Sequence, residues 1–433
     1  NAVGYGQRYK RFGGEFKSFH TWLLQSQYWP PERIREFQLE RLRNVITVAY
    51  SQVPYWKPVL QRAELPAGTV SSLDDLRRLP ILTKDEIRRH FHEMTNPTLG
   101  RGMYIRHSSS GTTGQKLQFL LTRELAYALN YANLWRFYSW GGIKLMDRRL
   151  TIGGRYFAGR PPFWVINRAE NQLLLSIHHL NEHTVDSYIE QIAAFAPRLV
   201  QGHPSGLHAL AVRMIAANRK VRCTAVFTTG ETLTEEQRAD LECAFGAKVL
   251  QTYGLGENVF AASECEYQMG YHEASELGIM ELIPDSASGR YCPLGTSLWN
   301  TAMPFLRYRV EDIVEPSHSE RCACGRTLPL RLRAVVGRID DSVRAADGHT
   351  VLAVTIRMLV KPHLKPFENY QLQQIGPGRF LFCGVGDFER ERRERIAAVL
   401  HEVLGRSARI EFAGPDAVLR TGGKIRNVVR VPT

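Results

Sequence analysis

The segment from residue 150 to residue 254 restricts the fold more than any other part of the chain. Residues 150–154 and 199–202 each read as a short apolar strand running into a turn, and residues 184–195 between them read as a helix. The unit recurs as a strand over 225–231, a helix over 234–245 and a strand over 248–254. Strands that alternate with helices in this way run parallel, so the rhythm predicts an α/β fold built on a parallel sheet. Ligands of such sheets bind beyond the carboxyl ends of the strands. Gly202-His203-Pro204-Ser205, Thr229-Gly230-Glu231 and Tyr253-Gly254 all fall at that end. Pattern alone therefore gathers one candidate site from three separate turns.

At 433 residues the chain exceeds one ordinary core, so two or more domains are expected. Its hydrophobic share of 44% and charged share of 23% are those of a soluble globular protein. No apolar run approaches the roughly 20 residues of a membrane span. The first residues are polar and basic rather than signal-like, so a cytoplasmic protein without a membrane partner is expected. A formal net charge of +13 favours acidic partners such as a nucleotide, coenzyme A or an acidic carrier protein. Nucleic acid is not expected, because the Lys and Arg are scattered and no binding motif accompanies them. Seven cysteines in a chain of this size are no secreted disulfide framework, and Cys223, Cys243, Cys292 and Cys383 stand among apolar neighbours as expected core residues.

Ahead of the parallel segment, apolar residues from Ile34 to Val48 recur at helical spacing, and residues 31–55 read as a helix ended by Pro54. Two shorter helices, around 74–76 and 82–86, follow candidate Ser or Thr caps. Then comes Arg106-His107-Ser108-Ser109-Ser110-Gly111-Thr112-Thr113-Gly114-Gln115-Lys116, set between apolar stretches at 103–105 and 117–121. Glycine lets backbone N–H groups close on a phosphate, while hydroxyls and a lysine add donors. A Ser/Gly hairpin turn is the competing reading. The order of residues is not that of a Walker loop. The helix expected over 124–140 carries Tyr127, Tyr131, Trp135, Phe137, Tyr138 and Trp140, a stripe that reads first as core.

The hydroxyl-rich run resembles the phosphate loop of the adenylate-forming enzymes, the superfamily of acyl-CoA synthetases, peptide-synthetase adenylation domains and luciferases. On that resemblance Ser109, Ser110, Gly111, Thr112, Thr113, Gly114 and Lys116 hold nucleotide phosphate. Tyr253-Gly254-Leu255-Gly256-Glu257 is similar to the superfamily's Tyr-Gly-x-Thr-Glu motif, with Gly256 in place of the Thr. The resemblance puts Tyr253 against adenine and Glu257 on Mg²⁺, and includes Gly230, Glu231, Thr252 and Gly254 in the nucleotide site. Tyr308-Arg309-Val310-Glu311-Asp312 is similar to Tyr-Arg-Thr-Gly-Asp, placing Asp312 on the ribose hydroxyls. Gly337-Arg338-Ile339-Asp340-Asp341 resembles the hinge motif, with Arg338 on ribose or phosphate and Asp340 as pivot. Arg420-Thr421-Gly422-Gly423-Lys424 resembles the terminal motif that carries the catalytic lysine, here Lys424. Taken bare, the same peptides would be turns with a solvated Glu or Lys.

These motifs imply a large adenylating domain over 1–338, with parallel-sheet α/β subdomains, and a small mobile α+β lid over 339–433. In the lid, strands are expected over 370–375, 379–383 and 408–412 and a charged helix over 388–404. The aromatic helix would help line the acyl pocket, with Tyr131, Trp135, His203 and Pro204 as candidates. Cys265 and His272, then Cys322 and Cys324 after a gap of 49 residues, supply four ligands of the kind a tetrahedral zinc takes. Four reduced side chains without a metal fit the spacing equally. A zinc-containing branch of the phenylacetate–CoA ligase family, with members linked to capsule and secondary-metabolite pathways, carries a similar quartet, which implies a structural Zn²⁺.

The implied reaction is ATP-dependent activation of a carboxylic acid, aromatic by preference, to acyl-AMP, then transfer to coenzyme A. A carrier-protein thiol or an amine would need the same first half, and a non-catalytic nucleotide-binding protein could use the same fold. Composition leaves a homodimer open.

Overall fold

The computed structural model describes residues 2–108, 117–153, 161–176, 179–180, 183–285, 289–319, 321–338, 342–348, 350–364, 369–385, 389–421, 424–425 and 427–431. The chain opens with α1 (Ala2–Phe12), α2 (Phe16–Ser26) and α3 (Pro31–Gln52). In α3, Ile34, Leu42, Val45, Ile46 and Ala49 form the buried stripe. The helix stops short of the expected Tyr55 because Pro54 disfavours a helical conformation at Val53, which is extended at φ −115° and ψ 111°. Next come α4 (Trp56–Arg62), a 3₁₀ turn at Leu73–Arg78 and α5 (Lys84–Arg89). The last two start at capping boxes, Ser72 with Asp75 and Thr83 with Glu86, as the sequence suggests.

The antiparallel strands β1 (Tyr104–Ser108) and β2 (Gln118–Thr122) flank the hydroxyl-rich run, Ser108 pairing with Gln118. Ser109, Ser110, Gly111, Thr112, Thr113, Gly114 and Lys116 lie outside the described residues. The aromatic helix begins as a π-helical turn, Leu125–Leu129, and continues as α6 (Asn130–Trp140).

The large sheet contains β3 (Arg149–Gly153), β4 (Trp164–Asn167), β5 (Gln172–Ser176), β6 (Leu199–Gly202), β7 (Ala225–Thr229) and β8 (Val249–Gly254). It continues through β9 (Ala261–Glu264), β10 (Tyr271–Glu273), β11 (Gly278–Asp285), β12 (Arg290–Ser297), β13 (Tyr308–Arg309), β14 (Asp312–Pro316) and β15 (Leu330–Arg338). Its order is β4-β5-β3-β6-β7-β8-β9-β10-β15-β14-β12-β11, with β13 on β12. The run β5-β3-β6-β7-β8 is parallel, with β3, β6, β7 and β8 as expected and β5 not anticipated, and antiparallel strands extend it on both sides.

Helices α7 (Val185–Phe195), α8 (Pro204–Ala216) and α9 (Glu235–Phe245) make the crossovers. They bury Leu150, Ile152, Leu173, Val200, Val226 and Val249 on one face of the sheet. On the other face α6 comes close: Tyr138 meets Phe227 edge-on at 5.0 Å. Cys223 is half-buried and Cys292 and Cys383 are buried, but Cys243 is exposed. It follows Leu241 on amphipathic α9, so apolar neighbours in sequence do not put it on the buried stripe.

Beyond β15 a second core forms. Strands β16 (Ser342–Arg344) and β17 (Thr350–Leu352) pair, and α10 (Ala353–Val360) follows. A four-stranded sheet has the order β20-β19-β18-β23, from β18 (Asn369–Gly376), β19 (Arg379–Val385), β20 (Arg409–Ala413) and β23 (Val428–Arg430). With α11 (Arg390–Leu404) it encloses Val343, Ile356, Tyr370, Phe382, Ile396 and Leu400, apart from the two cores of the large sheet. The short hairpin β21 (Arg420–Thr421) and β22 (Lys424–Ile425) precedes β23. The expected boundary at 338/339 adjoins residues 339–341, outside the described residues, and Asp340 is among them.

Candidate active site and metal centre

Three strand ends build the candidate site. Where β6 turns into α8, His203 is the extended cap residue and Pro204 opens the helix, its φ already suited to a first turn. His203 Nδ1 donates to the Thr229 carbonyl at 2.9 Å. Gly230, at φ +77°, lets β7 leave the sheet beside that imidazole. The Glu231 carboxylate accepts from the Ser205 N–H and hydroxyl, each at 3.0 Å. A carboxylate at a helix N-terminus satisfies open N–H groups and opposes the helix dipole. Gln251 Nε2 donates to the Glu231 carbonyl at 2.7 Å, and the Thr252 hydroxyl to Thr228 O at 3.3 Å, tying β8 to the same turn.

Past β8, two buried carboxylates are each held by a tyrosine. The Tyr253 hydroxyl donates to Asp312 Oδ2 at 2.9 Å, and the Tyr308 hydroxyl to Glu257 Oε1 at 3.2 Å. Each acid is 6% exposed. The Tyr308 segment is clamped to the N-terminal region by Arg309 N to Leu82 O at 2.9 Å, and by the Lys84–Glu311 ion pair. Arg338 ends β15 directly opposite Asp312 in the β14–β15 register. Thus Gly230, Glu231, Thr252, Tyr253, Gly254, Glu257, Asp312 and the Arg338 backbone converge at one edge of the sheet. Lys424 stands opposite Thr421 in the β21–β22 hairpin. Chemically, the edge offers carboxylate oxygens, which are acceptors for hydroxyls and for a hard divalent cation.

A cavity of about 200 Å³ lies under α6. Tyr131 and Trp135 line it, together with Tyr138, Thr151, Gly153 and Gln201. His203 and Pro204 do not line it; they serve the β6–α8 turn. The sequence reading passed over the polar lining from β3 and β6, and its signal was polar residues at alternate positions of otherwise apolar strands.

The Cys/His quartet is assembled from distant turns. Cys265 follows β9, His272 lies in β10, and Cys322 and Cys324 sit in the loop before β15. All four candidate ligand atoms fall within 4.8 Å of one another. Cys265 Sγ is 3.6 Å from Cys322 Sγ, and Cys324 Sγ is 3.5 Å from His272 Nε2. Tetrahedral zinc with ordinary bond lengths sets these separations at about 3.75 Å for S···S and about 3.55 Å for S···N. The donor set fits the ion. His272 Nδ1 donates to Leu328 O at 2.9 Å, which leaves Nε2 to face the thiols. Burial lowers the His272 pKa and pushes the Cys265 and Cys322 thiols up.

No family model matches the chain. It is 24% identical over 438 residues to phenylacetate-coenzyme A ligase of Thermus thermophilus, covering 92% of this chain and 97% of that one. It is 24% identical over 338 residues to Protein CapK of Staphylococcus aureus, 75% of this chain and 72% of that one. Across most of its length the chain is thus similar to phenylacetate–CoA ligases and to CapK. Its fold matches crystal structures of 2-hydroxyisobutyryl-CoA ligase. The postadenylation-state complex with R3-HIB-AMP superposes with a TM-score of 0.68 at 18% identity, covering 94% of this chain and 93% of that one. The sheet edge with Tyr253, Glu257 and Asp312 is where parallel strands end, the usual ligand position in such sheets. No helix among the described residues is long and apolar enough to cross a membrane.

Proposed function

We propose that this protein activates a carboxylic acid with ATP as acyl-AMP and then transfers the acyl group to coenzyme A. The observation that carries the reading is the pair of buried carboxylates, Asp312 under Tyr253 and Glu257 under Tyr308, at the carboxyl edge of the sheet. In the first step a carboxylate oxygen attacks the α-phosphorus, the bond to the β-phosphate bridge breaks, and pyrophosphate leaves. In the second, the thiol of coenzyme A, giving up its proton, attacks the acyl carbonyl and AMP leaves. Asp312 accepts from the ribose hydroxyls, Tyr253 flanks adenine, and Ser109–Lys116 contact phosphate. Glu257 would hold Mg²⁺, which would supply positive charge beside the phosphates. Lys424 stabilises charge between carboxylate and α-phosphate, and Asp340 is the pivot about which the small C-terminal unit brings Lys424 in and out. Cys265, His272, Cys322 and Cys324 would hold a zinc whose positions are all filled by protein, so its part is structural.

Acid-dependent exchange of labelled pyrophosphate into ATP tests the first step, across aromatic and aliphatic acids. Exchange with at least one acid, and an acyl-CoA product on adding coenzyme A, are expected. Nucleotide binding with no exchange across the panel would instead favour a non-catalytic nucleotide-binding protein. Exchange without acyl-CoA would point to a carrier-protein thiol or an amine as acceptor.

A further inference from the structure

A sheet covered on both faces is ordinarily apolar on both. Here the face toward α7–α9 follows that rule with Leu150, Ile152, Leu173 and Val200. The opposite face, one residue out of phase along the same strands, presents Arg149, Thr151, Gln172 and Gln201 to the cavity beneath α6. Gln172 Nε2 and Gln201 Nε2 each donate to the Thr151 hydroxyl at 2.6 Å, and the Tyr138 hydroxyl donates to Gln201 Oε1. With both lone pairs of Thr151 engaged, its own proton is left to donate. The Glu170 carboxylate, fully buried, pairs with Arg149 and also with Arg11 at 3.0 Å. Two guanidinium groups thus face one carboxylate. Arg149 is 3% exposed, and its Nε has no hydrogen-bond partner among the described residues. Buried polar groups are rarely left so, and a ligand atom is one remedy.

The cavity also has a direction. Gly153 lies at the carboxyl edge where the nucleotide is proposed, and Arg149 lies four residues back along β3, about 13 Å away. Tyr131, Trp135 and Tyr138 wall the space, with the Arg149 guanidinium 5.3 Å from the Trp135 ring centroid. A cavity of about 150 Å³ holds benzene, so this one of about 200 Å³ takes one ring with a small substituent.

We propose that the cavity selects an aromatic acid bearing a second anionic group on the end of the ring remote from the reacting carboxylate, held by Arg149, Arg11 and Thr151. This rests on the acid-activating function proposed above. The ring packs against α6, the remote anion meets the excess guanidinium charge and the Thr151 hydroxyl, and the carboxylate to be activated faces Gly153.

Titration calorimetry with phenylacetate, 4-hydroxyphenylacetate and 4-carboxyphenylacetate tests binding without ATP, and pyrophosphate exchange with the same acids tests activation. The 4-carboxy acid should bind at least tenfold tighter than phenylacetate. Arg149→Gln and Thr151→Val should each weaken it roughly 10–100-fold, the range for losing a hydrogen bond to a charged group, and phenylacetate less than threefold. Thr151→Val leaves the Arg–Glu pairing intact, so it decides the matter if Arg149→Gln folds poorly. Equal or tighter binding of phenylacetate, or equal losses for both acids, would overturn the proposal while leaving acid activation standing. Selective binding of the 4-carboxy acid with no exchange from any acid would support the pocket and overturn the activating function.

Discussion

Cys322 and Cys324 are half-buried side chains whose role depends on what stands beside them. A sulfur separation of 3.6 Å from Cys265 to Cys322 excludes a disulfide, which needs about 2.05 Å. Three thiols and an imidazole with their ligand atoms all within 4.8 Å of one another are the donor set and spacing of a tetrahedral zinc. Metal analysis of protein prepared without chelator should find about one zinc per chain, and Cys322→Ser should remove most of it. In isolated small domains such a site decides whether the chain folds. Here the turns are also held by β9, β10 and β15, so a loss of roughly 2–4 kcal/mol is expected, lowering Tm by about 2–6 °C in a unit of this size. Metal-free protein whose Tm does not respond to chelator would overturn the assignment.

Among the elements, α8 shows how one residue can serve both packing and a site. Its first turn is capped from another loop, by Glu231 after β7, so the helix and the 229–231 turn are fixed together. Glu231→Ala should cost about 1 kcal/mol, as loss of a cap does. Glu231→Gln, which keeps an acceptor, should cost less. Because the same turn contains Gly230, we also expect a several-fold rise in KM for ATP in the Ala variant. Thermal melts and initial rates check both, and an unchanged Tm would show that the contact contributes nothing. The π-helical turn before α6 and the extended cap at Val53 are further local features that strict helical periodicity does not anticipate.

Across the whole molecule, the C-terminal core around Tyr370 and Phe382 is closed without side chains from the large sheet's cores, as a unit able to move would require. Lys424 belongs to its terminal hairpin. If that lysine acts only in the first step, Lys424→Ala should lower pyrophosphate exchange by about 10²–10³-fold, the usual effect of removing a charge-stabilising group. Transfer from supplied acyl-AMP to coenzyme A should then be nearly unaffected. Asp340→Pro, which fixes φ at the presumed pivot, should impair whichever half-reaction needs the other orientation. Equal damage to both halves from Lys424→Ala would refute the division of labour.

Periodicity and turn chemistry in the sequence by themselves determined the parallel run β3, β6, β7 and β8, the Ser or Thr caps of the two short helices, and the α+β character of the last ninety or so residues. These are local signals, written within a few residues of where they act. Resemblance to the superfamily's motifs also named Tyr253, Glu257 and Asp312, because each motif is a short contiguous stretch of sequence. Only the tertiary structure decided who their partners are. Tyr253 reaches Asp312 across 59 positions and Tyr308 reaches Glu257 across 51, and no periodicity encodes such pairs. The same holds for Arg11, Arg149 and Glu170. In the sequence they are two scattered cations and an acid; in the fold, β3 and α1 bring both arginines to one cavity, each paired with Glu170. Alternation along β3 marks two faces, but which face meets a helix and which a cavity depends on how α6 and α7–α9 pack against the sheet.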